Sequence, residues 1–405
     1  MAQAARPLSS TQSSTSDSSS GGSGLPLSFT ISREVLFLCK TWTTSHASST
    51  SRTNALIRVL DGWNTGVGEV GLPPKNPSAG YLADYDDVEA FLSEYVAYCA
   101  DKRDGLPKDD PTTIIKWYLQ QLYCMEPAQV RSARTFGRCG VEMALLDLQS
   151  LYTNTPPNPL VLGMDPRPAY YTVSIDTPEE MAKGTVEALQ LTPFIKLKMD
   201  GEESPIRARL TAIVKALGST GRDVTLCIDA NASWSPQLAL SFLVWIQQLL
   251  KGTSVRLYIL EQPFPTSFPL SAEWKEVARE YKAAGVLIVA DESMAVSSDL
   301  QQLLPYVHGV NIKLEKAGGY RAAANLAQLA KEQGLIVWTG TMVGSAQICW
   351  QAVQLLPFSV AGDMDGYLLT TRESQSYPKP RFHWEKQTGT ISSHPSKRIQ
   401  MNIKK

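Results

Sequence analysis

Hydrophobic and polar positions change rhythm three times along the chain. Residues 1–24 are mostly Ser, Thr, Gly and Ala with almost no large apolar side chains. Such a segment cannot offset its ordering entropy, which predicts a disordered tail. It lacks the apolar core of a secretory signal. It is Ser-rich and acid-poor, as an organellar transit peptide is, but Arg6 is its only basic residue. From Phe29 the pattern alternates with period two, first in Phe29-Thr30-Ile31 and Val35-Leu36-Phe37-Leu38. It does so again in Asn54-Ala55-Leu56-Ile57-Arg58-Val59-Leu60, which ends at the turn signal Asp61-Gly62. These runs predict strands, and the polar stretch Trp42 to Arg52 between them predicts a flexible hairpin loop. Gly66-Val67-Gly68-Glu69-Val70 is a third element, closed by a Pro-rich break. Helical spacing follows: Val88, Phe91, Leu92, Tyr95 and Val96 form one stripe, and further helices fit 112–125 and 133–152. Residues 25–157 therefore predict an antiparallel sheet followed by helices, an α+β unit.

Beyond the prolines of 156–168 the grammar becomes strand, helix, strand. Apolar strand candidates stand at 170–175, 194–199, 224–228, 257–260, 287–290, 310–313, 336–339 and 358–361. Amphipathic helices fit between them, for example at 178–190, 205–217, 236–250 and 319–333. Eight strands with seven helical connections predict an α/β fold, a (β/α)8 TIM-like barrel over 158–371. A doubly wound sheet is the competing reading, but no Gly-x-Gly-x-x-Gly follows any strand. Residues 372–405 are too few for a domain and are expected to lean back on the first unit.

Composition narrows the function classes. The 405 residues hold 38 basic and 39 acidic side chains, so nothing points to nucleic acid or an acidic lipid surface. No apolar run approaches the ~20 residues of a membrane-spanning helix. Six scattered cysteines without a Cys-x-x-Cys pair read as buried thiols in a reducing compartment, with the cytoplasm as the default. The four histidines are too dispersed for a metal site, and His308 and His383 read as surface or packing residues.

Candidate chemistry gathers at the carboxyl ends of the barrel strands, where such folds carry their active sites. Strand 2 carries Lys196 and Lys198, which alternate onto one face. Alone, the pair reads as a half-solvated edge strand. Crowding of two ammonium groups favours losing one proton, and a lysine that can do so is a base. Strands 3, 4 and 5 end in Asp229-Ala230-Asn231, Glu261-Gln262-Pro263 and Asp291-Glu292-Ser293, at intervals of 31, 32 and 30 residues from Lys198 onward. Each acid alone reads as a loop carboxylate or a helix cap. Three converging on one face require a cation, and an all-oxygen set suits Mg²⁺ first and Mn²⁺ second. Lys313, in Asn311-Ile312-Lys313 of strand 6, lies across the barrel from strand 2, so the lysines can address opposite faces of a bound substrate. Removing a proton next to a carboxylate needs that cation and those ammonium groups to stabilise the dianion. Asn231 either orients a metal ligand or caps the next helix, and Glu292 is either a supporting residue or a local ion-pair partner. Lys316 lies past the strand end and reads as structural. Trp42 and His46 either contact substrate or pack against the barrel mouth.

These motifs, in this order and followed by Ala317-Gly318-Gly319, resemble the muconate-lactonising branch of the enolase superfamily, from residue 29 to about 390. That superfamily uses a Lys base with one or two Mg²⁺ ions. The resemblance implies that Asp229, Glu261 and Asp291 bind Mg²⁺, that Lys198 and Lys313 are the acid/base pair, and that Lys196 binds and stabilises an enediolate. It makes the first unit a capping domain, completed by the C-terminal segment, whose loops Trp42–Arg52 and Gly66–Gly71 close over the site. Asp363-Met364-Asp365 resembles the Asp-x-Asp of dipeptide epimerases, whose acids receive the substrate's α-ammonium group; the bland alternative is a solvated turn before Gly366. The implied activity is an isomerase of the L-Ala-D/L-Glu epimerase type acting on a small dipeptide, as a homo-oligomer. Cycloisomerisation, o-succinylbenzoate synthesis and N-acyl amino acid racemisation use the same machinery, and a non-catalytic binding protein is a third reading. One departure stands out: many relatives carry Glu shortly after strand 7, where this chain reads Met342-Val343-Gly344-Ser345. That weakens any transfer of glutamate specificity.

Overall fold

The computed structural model describes Ser18–Ser19 and residues 25–393, apart from 46, 78–79, 109, 127–129 and 387. The tail expected over 1–24 thus lies outside the described residues but for two serines, which bridge to Thr30 and Ile31. Strands Ser28–Thr43, Ser48–Leu60 and Thr65–Val70 form an antiparallel sheet. Phe29, Ile31, Ala55, Ile57 and Val59 turn one face toward helices Tyr85–Asp101, Pro111–Met125 and Arg134–Thr153. Phe29 meets Tyr95 edge to face at 5.7 Å, a favoured aromatic geometry.

Two expectations fail here. Trp42–Arg52 is not a loose loop. The first two strands pair down to Phe37–Ser51, shift register, and pair again at Trp42–Ser49 and Thr43–Ser48. Backbone ladders need no apolar side chains, so a polar ribbon continues where the hydrophobic pattern stops. Gly66–Gly71 is not a loop over the site either, since Gly66 and Gly68 sit inside the buried third strand. A Cβ on either would run into the backbone carbonyls of Ala144 and Gly140. Their absence of side chain lets helix Arg134–Thr153 lie directly on the strand.

The second unit is an all-parallel barrel. Its strands, here barrel strands 1 to 8, are Tyr171–Val173, Phe194–Lys198, Val224–Asp229, Val255–Glu261, Leu287–Ala290, Gly309–Ile312, Ile336–Gly340 and Ala361–Asp363. Each pairs with the next in sequence, and the Tyr170 N–H donates to the Gly362 carbonyl at 2.9 Å between strands 8 and 1. Strand 8 begins three residues later than expected. Leu356–Phe358 is a 3-10 turn, and Ser359 Oγ turns back to the Leu355 carbonyl at 3.2 Å, so the apolar run is the approach to the strand. Odd and even positions divide: Ile195 and Leu197 pack outward into the helix layer, while Phe194 packs with Tyr170, Cys227, Ile259, Val289 and Trp338 inside. That inner cluster plugs the barrel's lower half, leaving the upper interior for polar side chains.

The chain past strand 8 ties both units together. Ser376 Oγ donates to Glu34 at 2.6 Å, Arg381 pairs with Asp147 at 2.6 Å, and hairpin Phe382–Glu385/Thr390–Ser393 pairs with Arg167–Pro168. All six cysteines are free, but Cys39 and Cys124 are exposed rather than buried. Among the described residues no helix is long and apolar enough to cross a membrane.

Candidate active site

Above the aromatic plug, strand ends deliver one charged cluster. The Nζ of Lys196, a residue 1% exposed, is ringed by Glu261 at 2.8 Å, Asp363 at 2.9 Å and Asp229 at 3.0 Å. One pleat higher, Lys198 Nζ meets Asp229 Oδ2 at 2.6 Å. Across the barrel Lys313 Nζ meets Asp291 Oδ2 at 2.7 Å. One ligand oxygen from each of Asp229, Glu261 and Asp291 lies within 4.8 Å of the others, all three carboxylates buried. Strand 2 is therefore no half-solvated edge: its neighbours on both sides and the capping sheet above take it out of water.

Supporting groups aim these acids. Asn311 Nδ2 donates to Glu261 Oε1 at 2.8 Å. The Asn231 N–H donates to Asp229 Oδ1 at 2.9 Å. Asn231 is not a helix cap, because Ser235 caps the following helix; its Nδ2 donates to Glu292 Oε1 at 3.2 Å. Glu292 forms no ion pair among the described residues, which removes the salt-bridge reading. Gln262 Oε1 accepts from the Asp291 and Ser293 N–H groups at 3.0 and 3.1 Å, tying the end of strand 4 to that of strand 5. Gln262 itself takes φ +36°, a left-handed conformation unusual for a side-chain-bearing residue.

Charge explains the protonation states. Burial alone would lower Lys196, but Asp229, Asp363 and Glu261 around it raise it well above the usual range. The expectation that like-charge crowding would deprotonate it is thus reversed: three carboxylates outweigh one neighbouring ammonium. Burial likewise opposes the charge of Lys313, and Asp291 restores it with a raised value. Against burial, Lys196 and Lys198 hold Asp229 at about 2, and Lys313 and Lys316 hold Asp291 well below the carboxylate range. Glu261, pushed by burial and then Asp229, rises to about 7, and Glu292, by burial and Asp291, to about 8.

Two cavities open on this cluster. One of about 40 Å³ touches Lys196, Lys198, Lys313, Asp363 and Asp365. The other, about 230 Å³, touches Lys198, Asn231 and Lys313 below and Arg52, Tyr81 and Pro73–Asn76 of the first unit above. Trp42 lines both. Asp363 and Asp365 are buried, not a solvated turn; Asp365 Oδ2 accepts the Thr172 N–H at 2.6 Å. Lys316, read from the sequence as structural, is buried and donates to the carbonyl and Oδ1 of Asp291. Leu314–Ala317 forms a helical turn, and a residue three past Lys313 returns to the same side. Sequence reading missed Arg52 and Tyr81; the turn around Tyr81 folds over the site through an Asn76–Tyr81 bridge that no local pattern announces. His46 lies outside the described residues, and His383 is exposed.

The donor set suits a hard divalent cation: three buried carboxylates, no thiolate or imidazole among them, and ammonium groups supplying positive charge between them. Three of the seven buried side-chain polar atoms without a partner in the described structure also sit in this cluster, Asn231 Oδ1, Glu292 Oε2 and Asn311 Oδ1.

Residues 179–381 match the enolase C-terminal domain-like family. A Dictyostelium discoideum protein named as an enolase superfamily member is 31% identical over 388 residues, 84% of this chain and 88% of its own. The chain belongs to the enolase superfamily. An L-Ala-D/L-Glu epimerase of Bacteroides thetaiotaomicron is 26% identical over 76% of this enolase-superfamily chain and 72% of its own. The structure of a dipeptide epimerase from Enterococcus faecalis, complexed with Mg and L-Leu-L-Tyr, superposes with a TM-score of 0.69. That match is at 19% identity and covers 91% of this chain and 97% of the other. Dipeptide epimerases recur among the relatives, and the chain is an isomerase of this superfamily.

Proposed function

We propose that the enzyme inverts the α-carbon of the C-terminal residue of a dipeptide by 1,1-proton transfer between two lysines. The observation that carries this is the pairing of Lys198 and Lys313. They come from strands four apart in an eight-stranded barrel and line the same two cavities, so a carbon placed between them presents opposite faces. Asp229, Glu261 and Asp291 would hold Mg²⁺, with Mn²⁺ as the alternative. That cation supplies Lewis-acid stabilisation of the substrate carboxylate as the adjacent proton leaves.

The chain's own groups do the rest. One lysine, as the free amine, takes the α-proton, and the C–H electron pair moves into the carboxylate to give an enediolate. The other, as the ammonium ion, returns a proton to the opposite face. Lys198 Nζ, at 2.6 Å from Asp229 Oδ2, stands beside the proposed cation site. Lys196, fixed by three acids, presents a permanent positive charge to the enediolate. Asp363 and Asp365 receive the α-ammonium group of the first residue, charge-assisted contacts in a buried setting. Asn231 and Glu292 orient the carboxylates.

The test is mass spectrometry of L,L-dipeptide pools incubated with the protein in D₂O and Mg²⁺. Particular dipeptides should gain one deuteron at the C-terminal α-carbon. Chelation of the metal should stop the exchange, and Lys198→Ala or Lys313→Ala should slow epimerisation by about 10²–10⁴-fold. Exchange confined to N-acyl amino acids would overturn the ammonium anchor. Exchange with neither class would overturn the epimerase reading.

A further inference from the structure

A third cavity, of about 220 Å³, lies beside the site and is used by none of the chemistry above. It opens between the ribbon Cys39–Trp42, barrel strand 1 and helix Pro178–Ala188. Trp42, Thr172 and Leu369 are walls of both this cavity and the small one holding the two lysines and Asp363/Asp365. Thr172 is also the residue whose N–H binds Asp365. The cavity therefore begins where the proposed ammonium anchor ends.

Its lining is divided. Val173, Met181, Gly184, Ala188 and Leu191 make an apolar floor. Asp176, Glu180 and Glu187 line it as well, with Lys40 the one cation among the described lining residues; Arg209, which donates to the Asp176 carbonyl at 2.9 Å, is paired with Asp200 at 2.6 Å. Lys40 is taken by Glu187 at 3.3 Å. Asp176 and Glu180 form no ion pair among the described residues. An apolar channel ending in two exposed carboxylates, with Asp176 Oδ1 accepting the Thr177 N–H at 2.7 Å, suits an aliphatic stem with a cationic tip.

We infer that this cavity is the subsite for the side chain of the substrate's N-terminal residue and that it selects lysine or arginine there. This rests on the dipeptide epimerase reading and names its substrate class. Burying three or four methylenes is favourable, and the exposed acids add the small increment of a surface ion pair. A shorter residue such as alanine reaches neither.

The test uses the full chain with Mg²⁺ in D₂O and the C-terminal residue that exchanges fastest in the pooled assay. Initial rates of α-deuteration are compared for N-terminal L-Ala, L-norleucine and L-Lys. The expected order of kcat/KM is Lys above norleucine above Ala, with Lys over Ala by about tenfold or more. Gly184→Leu fills the cavity from within the helix. A Cβ there meets only Val173 at 3.7 Å, and leucine is the better helix former, so the unfolding midpoint should hold while the Lys-to-Ala ratio falls to about one. Glu180→Lys should lower the rate with N-terminal Lys but leave the norleucine-to-Ala ratio where it was. A parent ratio near one, or a ratio that Gly184→Leu does not move, overturns the inference while leaving the epimerase reading intact. Failure of every dipeptide to exchange overturns both.

Discussion

At the scale of single residues, burial and neighbours set what each group can do. Asp365 is raised to about 6 by burial first and by Asp363 second. It is therefore neutral below that value and a carboxylate above it. In the proposed reaction only the charged form attracts the substrate's ammonium group, so KM for dipeptides should fall as pH rises through about 6. Between pH 8 and pH 5 the difference should be about tenfold, one pH unit below the pKa. Asp365→Asn should flatten that profile and hold KM high throughout; a KM profile from pH 5 to 8 on both proteins decides it. The identity of the acids and lysines was legible in the sequence, because strand ends repeat at one β/α unit. The sign of the Lys196 shift was not, since Glu261 and Asp363 reach it from 65 and 167 residues away.

At the scale of elements, the departure at Gly344 has a steric cause. A Cβ there would stand 2.6 Å from Glu69 Oε1 and 2.6 Å from Ile348 Cγ2. Glu69, on the third strand of the first unit, accepts from Asn54 at 2.8 Å and from the Ser345 N–H at 3.0 Å. Asn54 Nδ2 also reaches the Val343 carbonyl at 3.1 Å. A buried carboxyl from the capping sheet thus fills the space beside the loop after barrel strand 7 and fixes that loop against it. A glutamate at 344 has no room in this arrangement. Gly344→Ala should cost about 1–3 kcal/mol of stability through overpacking, measured by urea denaturation; a neutral result would show that the loop yields freely. The third strand was legible as an element, but the partner of its glutamate lies 276 residues on.

At the scale of the molecule, the two units meet across buried acids whose ionisation opposes folding. Glu315, after barrel strand 6, accepts the Gly71 N–H at 3.3 Å and is raised by burial to about 7. A carboxyl raised above its unfolded value of about 4.3 supports folding fully below that value and loses the support as pH rises through about 7. The loss is on the order of 3–4 kcal/mol by pH 8. Glu315→Gln should therefore shrink the drop in unfolding free energy between pH 5 and pH 8, read from denaturation curves at both. An unchanged drop would assign it to other groups.

The chain's own pattern determined the barrel, its neighbouring helices and the acids and lysines at the strand ends, because period-two and period-3.6 runs encode local conformation and the β/α repeat encodes which ends share a face. Tertiary structure alone decided the rest. Trp42–Thr43 and Ser48–Arg52 are strand because their partners are in register, not because of their side chains. Gly66 and Gly68 serve helix packing because Gly140 and Ala144 lie against them. Arg52, Tyr81 and the cavity beside Thr172 gained their places from contacts across elements far apart in sequence, which no local periodicity carries.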